Sequence, residues 1–214
     1  MRGSRIWYRG VEQLLRICCN IAVEIRGGEN LPAGAALVAA KHLSSLDTFA
    51  LFMLLPRPFI IAKQELGRIP LFGAYLRKTM LTIDREGGSQ TLRKMISESR
   101  AAIGKGWQVT IFPEGTRVTP GTSEPFKPGV AALYKSLGVP CIPIATNSGM
   151  HWPLHGWIFT PGTVVFEFLP ALPPGLPRDS FVAQLHERID VASTALCAAS
   201  SARGGPSSFG AERE

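Results

Sequence analysis

The sequence predicts an α/β layered fold, with a largely parallel sheet covered by helices on both faces and an N-terminal amphipathic helix ahead of it. Three observations predict it. Short apolar runs of strand length alternate with stretches of helical periodicity about ten or more residues long. Gly and Pro fall mainly between those runs and not in repeats. One run, "GAALVAA" from Gly34 to Ala40, is apolar throughout, the pattern of a strand buried on both faces. A length of 214 residues suits one domain with a substantial core.

Residues 1–28 form the expected amphipathic helix: Trp7, Val11, Leu14, Leu15, Cys18 and Ala22 recur at helical spacing, while Arg5, Arg9, Gln13, Arg16 and Asn20 fall largely elsewhere. Such a helix either lies in the interface of an anionic membrane or packs its apolar face on the domain. The main domain is expected over 29–199. After the Gly34 to Ala40 strand comes a helix through Phe49 to Leu55, capped by Ser44 or Ser45 and stopped by Pro56. "PFIIA" (Pro58 to Ala62) reads as a strand, "IPLFGAYLRK" as a short helix and "MLTID" (Met80 to Asp84) as a third strand. A helix from Ser89 to Ile103 stops at Gly104, and "WQVTIF" (Trp107 to Phe112) is a fourth strand, ended by Pro113. A helix at about Gly129 to Leu137 is closed by Gly138; strands at "CIPIAT" and "TVVFEFL" follow, then a helix at about Ser180 to Ala199. Residues 200–214, small and polar without periodicity, read as a disordered tail.

The net charge of +7 favours partners that carry negative charge. With no nucleic-acid motif, and no aromatics interleaved in a basic stripe, nucleic acid is not expected; a lipid surface and phosphorylated substrates are. The cysteines (Cys18, Cys19, Cys141, Cys197) match neither a zinc spacing nor a disulfide framework and read as small buried apolar residues in a reducing compartment. No run reaches the roughly 18 to 20 apolar residues of a spanning helix. The start also lacks the basic-then-apolar order of a signal peptide, so a cytoplasmic location is expected.

His42 follows a buried strand, and carboxyl ends of strands are where open α/β sheets form ligand crevices. On a continuous helix, residues five apart stand about 140° apart, so His42 and Asp47 meet only if a turn intervenes. With Ser44 and Ser45 ending a loop, Asp47 falls in the helix's first turn and the histidine can fold back to it. Asp47 would then fix the imidazole tautomer, leaving the other ring nitrogen to take a proton from a substrate hydroxyl. An isolated pair of this kind is more often an interior histidine beside a carboxylate at a helix start. "FPEGTRVTPG" tips the balance: Pro113, Gly115, Pro120 and Gly121 force a tight turn after the fourth strand. Arg117 there offers a planar donor fork suited to phosphate, and Glu114 stands where it would position Arg117 or a substrate hydroxyl. Arg85 and Lys63 occupy the same kind of place after two other strands, so the three cations would share one rim and one anionic ligand.

"HLSSLD", "IDR", "FPEGTR" and "VPCIP", in this order and at these intervals, resemble the four motif blocks of the 1-acyl-glycerol-3-phosphate acyltransferase family, in its bacterial branch. The resemblance covers roughly residues 30 to 175. It implies transfer of an acyl chain from acyl-CoA or acyl-carrier protein to the 2-hydroxyl of a lysophosphatidic acid, giving phosphatidic acid at the cytoplasmic face of the inner membrane. His42 would be the general base and Asp47 its orienter. Arg117 and Lys63 would hold the acceptor phosphate, with Arg85, Glu114, Gly115 and Thr116 in the binding site and Pro140 to Pro143 in support. A thioester is already activated, so neither metal nor bound cofactor is expected. Members commonly carry Asn before the histidine and often a longer hydrophobic N-terminal anchor. Here Lys41 takes the first place, expected to lower the imidazole's proton affinity or to contact an anionic substrate. The rival readings are acylation of another lysolipid such as a lyso-ornithine lipid, ester hydrolysis by a water activated at His42, and anionic-lipid binding without catalysis.

Overall fold

The computed structural model describes residues 2–63, 80–83, 88–153 and 159–202, without the side chains of 2–9, 62–63 and 80–83. The helix expected around Ile69 to Lys78, Arg85, the Lys63 side chain and residues 203–214 lie outside that description.

Helix α1 spans Arg2–Cys19 and is shorter than the 1–28 expected from its periodicity. Asn20 adopts a left-handed backbone (φ 52°) that ends it, and Ile21–Arg26 continues as strand β1. Apolar Ile21, Val23 and Ile25 alternate with Ala22, Glu24 and Arg26, a strand period hidden because Cys18 and Ala22 also keep helical spacing. The apolar stripe of α1 divides. Val11, Leu15 and Cys19 pack inward, whereas Leu14 is 61% exposed, Ile17 is 77% exposed, and Cys18 also faces out. The cysteines are therefore not uniformly interior: Cys141 and Cys197 are, but Cys18 is exposed.

Strand β2, Ala36–Ala40, is buried at every position, as its unbroken apolar run requires. Helix α2 follows at Ser45–Leu54, then β3 at Pro58–Lys63 and β4 at Met80–Ile83. Next come α3 (Gly88–Gly104), β5 (Gln108–Ile111), α4 (Pro128–Leu137) and β6 (Cys141–Thr146). The described chain closes with β7 (Gly162–Phe168) and α5 (Arg178–Ala202). Pro128 at the first turn of α4 and left-handed Gly138 (φ 61°) at its end set that helix's limits.

Among the described residues the sheet has seven strands in the order β1-β7-β6-β2-β5-β3-β4. All neighbours are parallel except β6 and β7, so β1 and β7 run against the rest at one edge. One face packs against α1 and α2 through Leu15, Leu46, Ala50 and Phe52; the other packs against α3, α4 and α5 through Met95, Leu133, Phe181, Leu185 and Ile189. Alternation along β2 serves both: Ala36, Val38 and Ala40 belong to the first face, Leu37 and Ala39 to the second.

The chain leaves β2 over the first face to reach α2, and leaves the adjacent β5 over the second to reach α4. Two neighbouring strands whose connections depart on opposite faces open a crevice at their carboxyl ends. His42 follows one strand and Phe112 the other.

Candidate active site

Ser44 caps α2 by accepting a hydrogen bond from Leu46 N at 3.2 Å, and Asp47, three residues into the box, reaches back over the loop. Its Oδ2 accepts from Leu43 N at 2.7 Å and Ser44 N at 2.8 Å, and lies 3.1 Å from His42 Nδ1. A turn therefore joins the two residues that a continuous helix would separate. Asp47 is fully buried, and a carboxylate already taking two N–H bonds can only accept, so Nδ1 carries the hydrogen and Nε2 has the lone pair. Among the described residues no hydrogen bond engages Nε2, and the His42 side chain keeps 14% of its surface exposed. A partly exposed base with one nitrogen clamped and, among the described residues, the other without a hydrogen bond is the result.

Three contacts knit this loop to the segment after β5. The Phe112 ring stacks on the His42 ring at a centroid distance of 4.0 Å and 19° between planes. Val118 N donates to His42 O at 2.8 Å. Arg117 Nη1 donates to Ser45 Oγ at 3.1 Å, which directs the half-buried guanidinium toward the start of α2. Gly115 N closes a tight turn onto Phe112 O at 3.0 Å, and Gly115 stands at φ 75°, a conformation that L side chains rarely adopt.

Lys41 does not take the place expected of it. Strand alternation puts it on the α5 side while His42 turns to the α2 side, so its ammonium meets neither the imidazole nor open solvent. It lies 2.7 Å from Asp190 Oδ1 and 3.3 Å from Glu114 Oε1. Glu114 is correspondingly buried, its side chain fully enclosed, and among the described residues its carboxylate oxygens make no other side-chain contact. Burial pushes its carboxyl above the ordinary 4.5, while a backbone N–H and the charges of Lys41 and His42 pull the other way. A carboxyl that holds its proton more tightly when folded stabilises the fold fully below about 4.5, and that contribution is lost as pH rises through the folded value. Glu114→Gln is therefore expected to melt progressively higher relative to the wild type as pH is raised from the acid range to neutrality. A melting difference that stays flat with pH would contradict this.

Next to the Phe112 to Thr116 turn lies a cavity of about 670 Å³ between β3, β5, α3 and α4, lined mainly by apolar groups including Ile61, Leu92, Met95 and Ile111. Gly115 and Thr116 line its polar end together with Lys127, and Thr116 is exposed. Lys63 is the last residue of β3, on the same rim as His42, and Arg85 lies outside the described residues. The VPCIP block enters β6 directly beside β2, where Pro143 is opposite Ala39. Three contacts of the site were not read from the sequence: Phe112 against the imidazole, Ser45 on Arg117, and Asp190 on Lys41. The aromatic at the strand end was the one available signal, and its stacking partner lies 70 positions away in sequence (112 − 42).

The geometry can be set beside known proteins. A family model described as "Acyltransferase" matches residues 22–147, which run from β1 through the end of β6 and contain both motif loops. The chain is 34% identical over 185 residues to the 1-acyl-sn-glycerol-3-phosphate acyltransferase of Pseudomonas aeruginosa, covering 86% of this chain and 72% of that protein. It is 34% identical over 131 residues to human 1-acyl-sn-glycerol-3-phosphate acyltransferase alpha, covering 60% of this chain and 46% of the relative. The fold resembles the crystal structure of the 1-acyl-sn-glycerophosphate acyltransferase PlsC from Thermotoga maritima, with TM-score 0.74 and 24% identity over 91% of this chain and 81% of that one. A histidine clamped by a capping-box carboxylate, beside the proline-glycine turn of an adjacent strand, thus sits in a matched sequence and a matched fold, and the chain belongs to the acyltransferase family of the 1-acyl-sn-glycerol-3-phosphate acyltransferases.

Proposed function

We propose that the protein transfers a fatty acyl chain from a thioester, acyl-CoA or acyl-carrier protein, to the 2-hydroxyl of 1-acyl-sn-glycerol 3-phosphate, forming phosphatidic acid. The observation that carries this reading is the His42–Asp47 contact at 3.1 Å, set against the Phe112 to Arg117 turn. Asp47 holds the ring and stabilises the imidazolium. His42 Nε2 takes the hydroxyl proton as the acceptor oxygen attacks the thioester carbonyl. The tetrahedral intermediate then collapses, the carbon–sulfur bond breaks, and the proton passes from the imidazolium to the leaving thiolate. Every atom of this exchange comes from the two substrates and one imidazole.

Arg117, oriented by Ser45, holds the acceptor phosphate, with Lys63 and Arg85 as further cations for it, Gly115 allowing close approach and Thr116 in the binding site. The apolar cavity beside the turn receives the donor's acyl chain. Leu14 and Ile17, turned outward on α1, enter the interface of an anionic membrane at its cytoplasmic face, and the net charge of +7 favours that surface. Among the described residues no helix is long and apolar enough to cross a membrane.

The test is a panel of acceptors offered with acyl-CoA and with acyl-carrier protein thioester. Phosphatidic acid from lysophosphatidic acid is expected. Turnover confined to a lysolipid without phosphate would reassign the acceptor, and fatty acid released without any acceptor would make the protein a hydrolase. Arg117→Ala removes a charge-assisted hydrogen bond of about 1.5–3 kcal/mol, so the KM for lysophosphatidic acid should rise by roughly 10- to 100-fold. An unchanged KM and kcat would remove Arg117 from the site.

A further inference from the structure

From Phe112 to Lys127 the chain has no regular secondary structure, yet this stretch carries Arg117. Its position depends on ties made elsewhere. The first half is fastened to the loop after β2 by Val118 N on His42 O. The second half is fastened to α5 by Lys41 and, directly, by Asp190 and His186. Lys41 Nζ donates to Thr122 O at 3.2 Å and lies 2.7 Å from Asp190 Oδ1 and 3.3 Å from Glu114 Oε1, with 3% of its side chain exposed. Asp190 turns its other oxygen to Ser123 Oγ, a donor, and lies 3.4 Å from His186 Nε2. His186 in turn reaches Glu124 O at 3.3 Å. Lys41, one residue before His42, thus joins the end of β2 to a seam that Asp190 and His186 of α5 also make with the loop directly.

An ammonium taken out of water is costly unless charge and hydrogen bonds surround it. Here a carbonyl and two carboxylates from two other segments do so. Lys41 adjoins the proton-accepting residue in the chain, and its carbonyl and Glu114 partners belong to the loop that bears Arg117. We infer that Lys41 and Asp190 are positioning residues of the acceptor site: their ion pair sets the loop's height over the sheet, and with it the spacing between Arg117 and His42. The C-terminal helix α5 thereby belongs to the active site without touching substrate. This inference rests on the reading of Arg117 as the phosphate holder.

The test compares wild type with Lys41→Arg, Asp190→Leu and the neutral double variant Lys41→Met/Asp190→Leu. Each is measured for melting temperature, acceptor KM and donor KM, and for amide hydrogen exchange over residues 114–124. The double variant buries neither charge of the pair unpaired but leaves enclosed Glu114 without its cation, so its melting temperature serves to establish that it folds. It should nevertheless keep an acceptor KM raised roughly tenfold or more, with a donor KM within about twofold. Exchange over the loop should quicken in both leucine variants. Lys41→Arg, which retains the charge in a bulkier head, should raise the acceptor KM less than the neutral double variant does. A folded double variant with wild-type acceptor KM, or wild-type exchange over the loop, overturns the inference. A wild type that acylates no lysophosphatidic acid overturns the functional reading instead, and the exchange measurement then still decides whether the pair holds the loop.

Discussion

His42→Ala is expected to lower acyl transfer by roughly 10² to 10⁴-fold or more, the range that a positioned general base contributes. The loss should appear in kcat. Nothing in the fold requires the imidazole in the way that it requires Asp47: the ring is partly exposed and packs by stacking on Phe112, so its removal leaves the capping of α2 untouched. A melting temperature close to wild type with turnover nearly abolished is the expected pair of results. Turnover at the wild-type rate in a folded His42→Ala protein would discard the mechanism.

Asp47 answers for two things at once, and two substitutions separate them. Asp47→Asn keeps an oxygen that can accept from Leu43 N and Ser44 N, so the helix start survives, but it removes the charge that stabilises the imidazolium. Turnover should fall by about 10²-fold or more while melting changes little. Asp47→Ala orphans both buried N–H groups as well, at about 1–3 kcal/mol each. At about 2–4 °C per kcal/mol for a chain of this size, melting should drop by roughly 4–24 °C. Equal melting temperatures for the two variants would contradict the double role, and wild-type turnover in either would remove Asp47 from catalysis.

The sheet's central strands were legible because local pattern and burial agree. "GAALVAA" is apolar at every position, and β2 is buried at every position. Strand β1 was obscured because an edge strand needs only weak alternation, and its Glu24 and Arg26 pair with each other at the surface at 2.7 Å. The His42 to Asp47 approach was legible because a serine cap makes the turn within five residues. The surroundings of Lys41 were not. Its partner Asp190 is 149 residues away, and which side of the sheet Lys41 faces follows from a strand parity that no local motif announces. A basic residue beside a catalytic histidine suggests an electrostatic partner for it; the backbone makes them back-to-back neighbours.

Capping boxes usually place glutamate at the third helical position, since its length suits the reach to the cap's own N–H. This chain has the shorter aspartate there. One methylene less draws the carboxylate down into the loop, where it gathers two N–H groups and the imidazole on a single oxygen. Helix chemistry alone would welcome lengthening of that side chain; proton transfer at His42 forbids it. The six residues of HLSSLD are therefore constrained twice over, and drift at Asp47 would be punished by lost turnover well before the fold gave way.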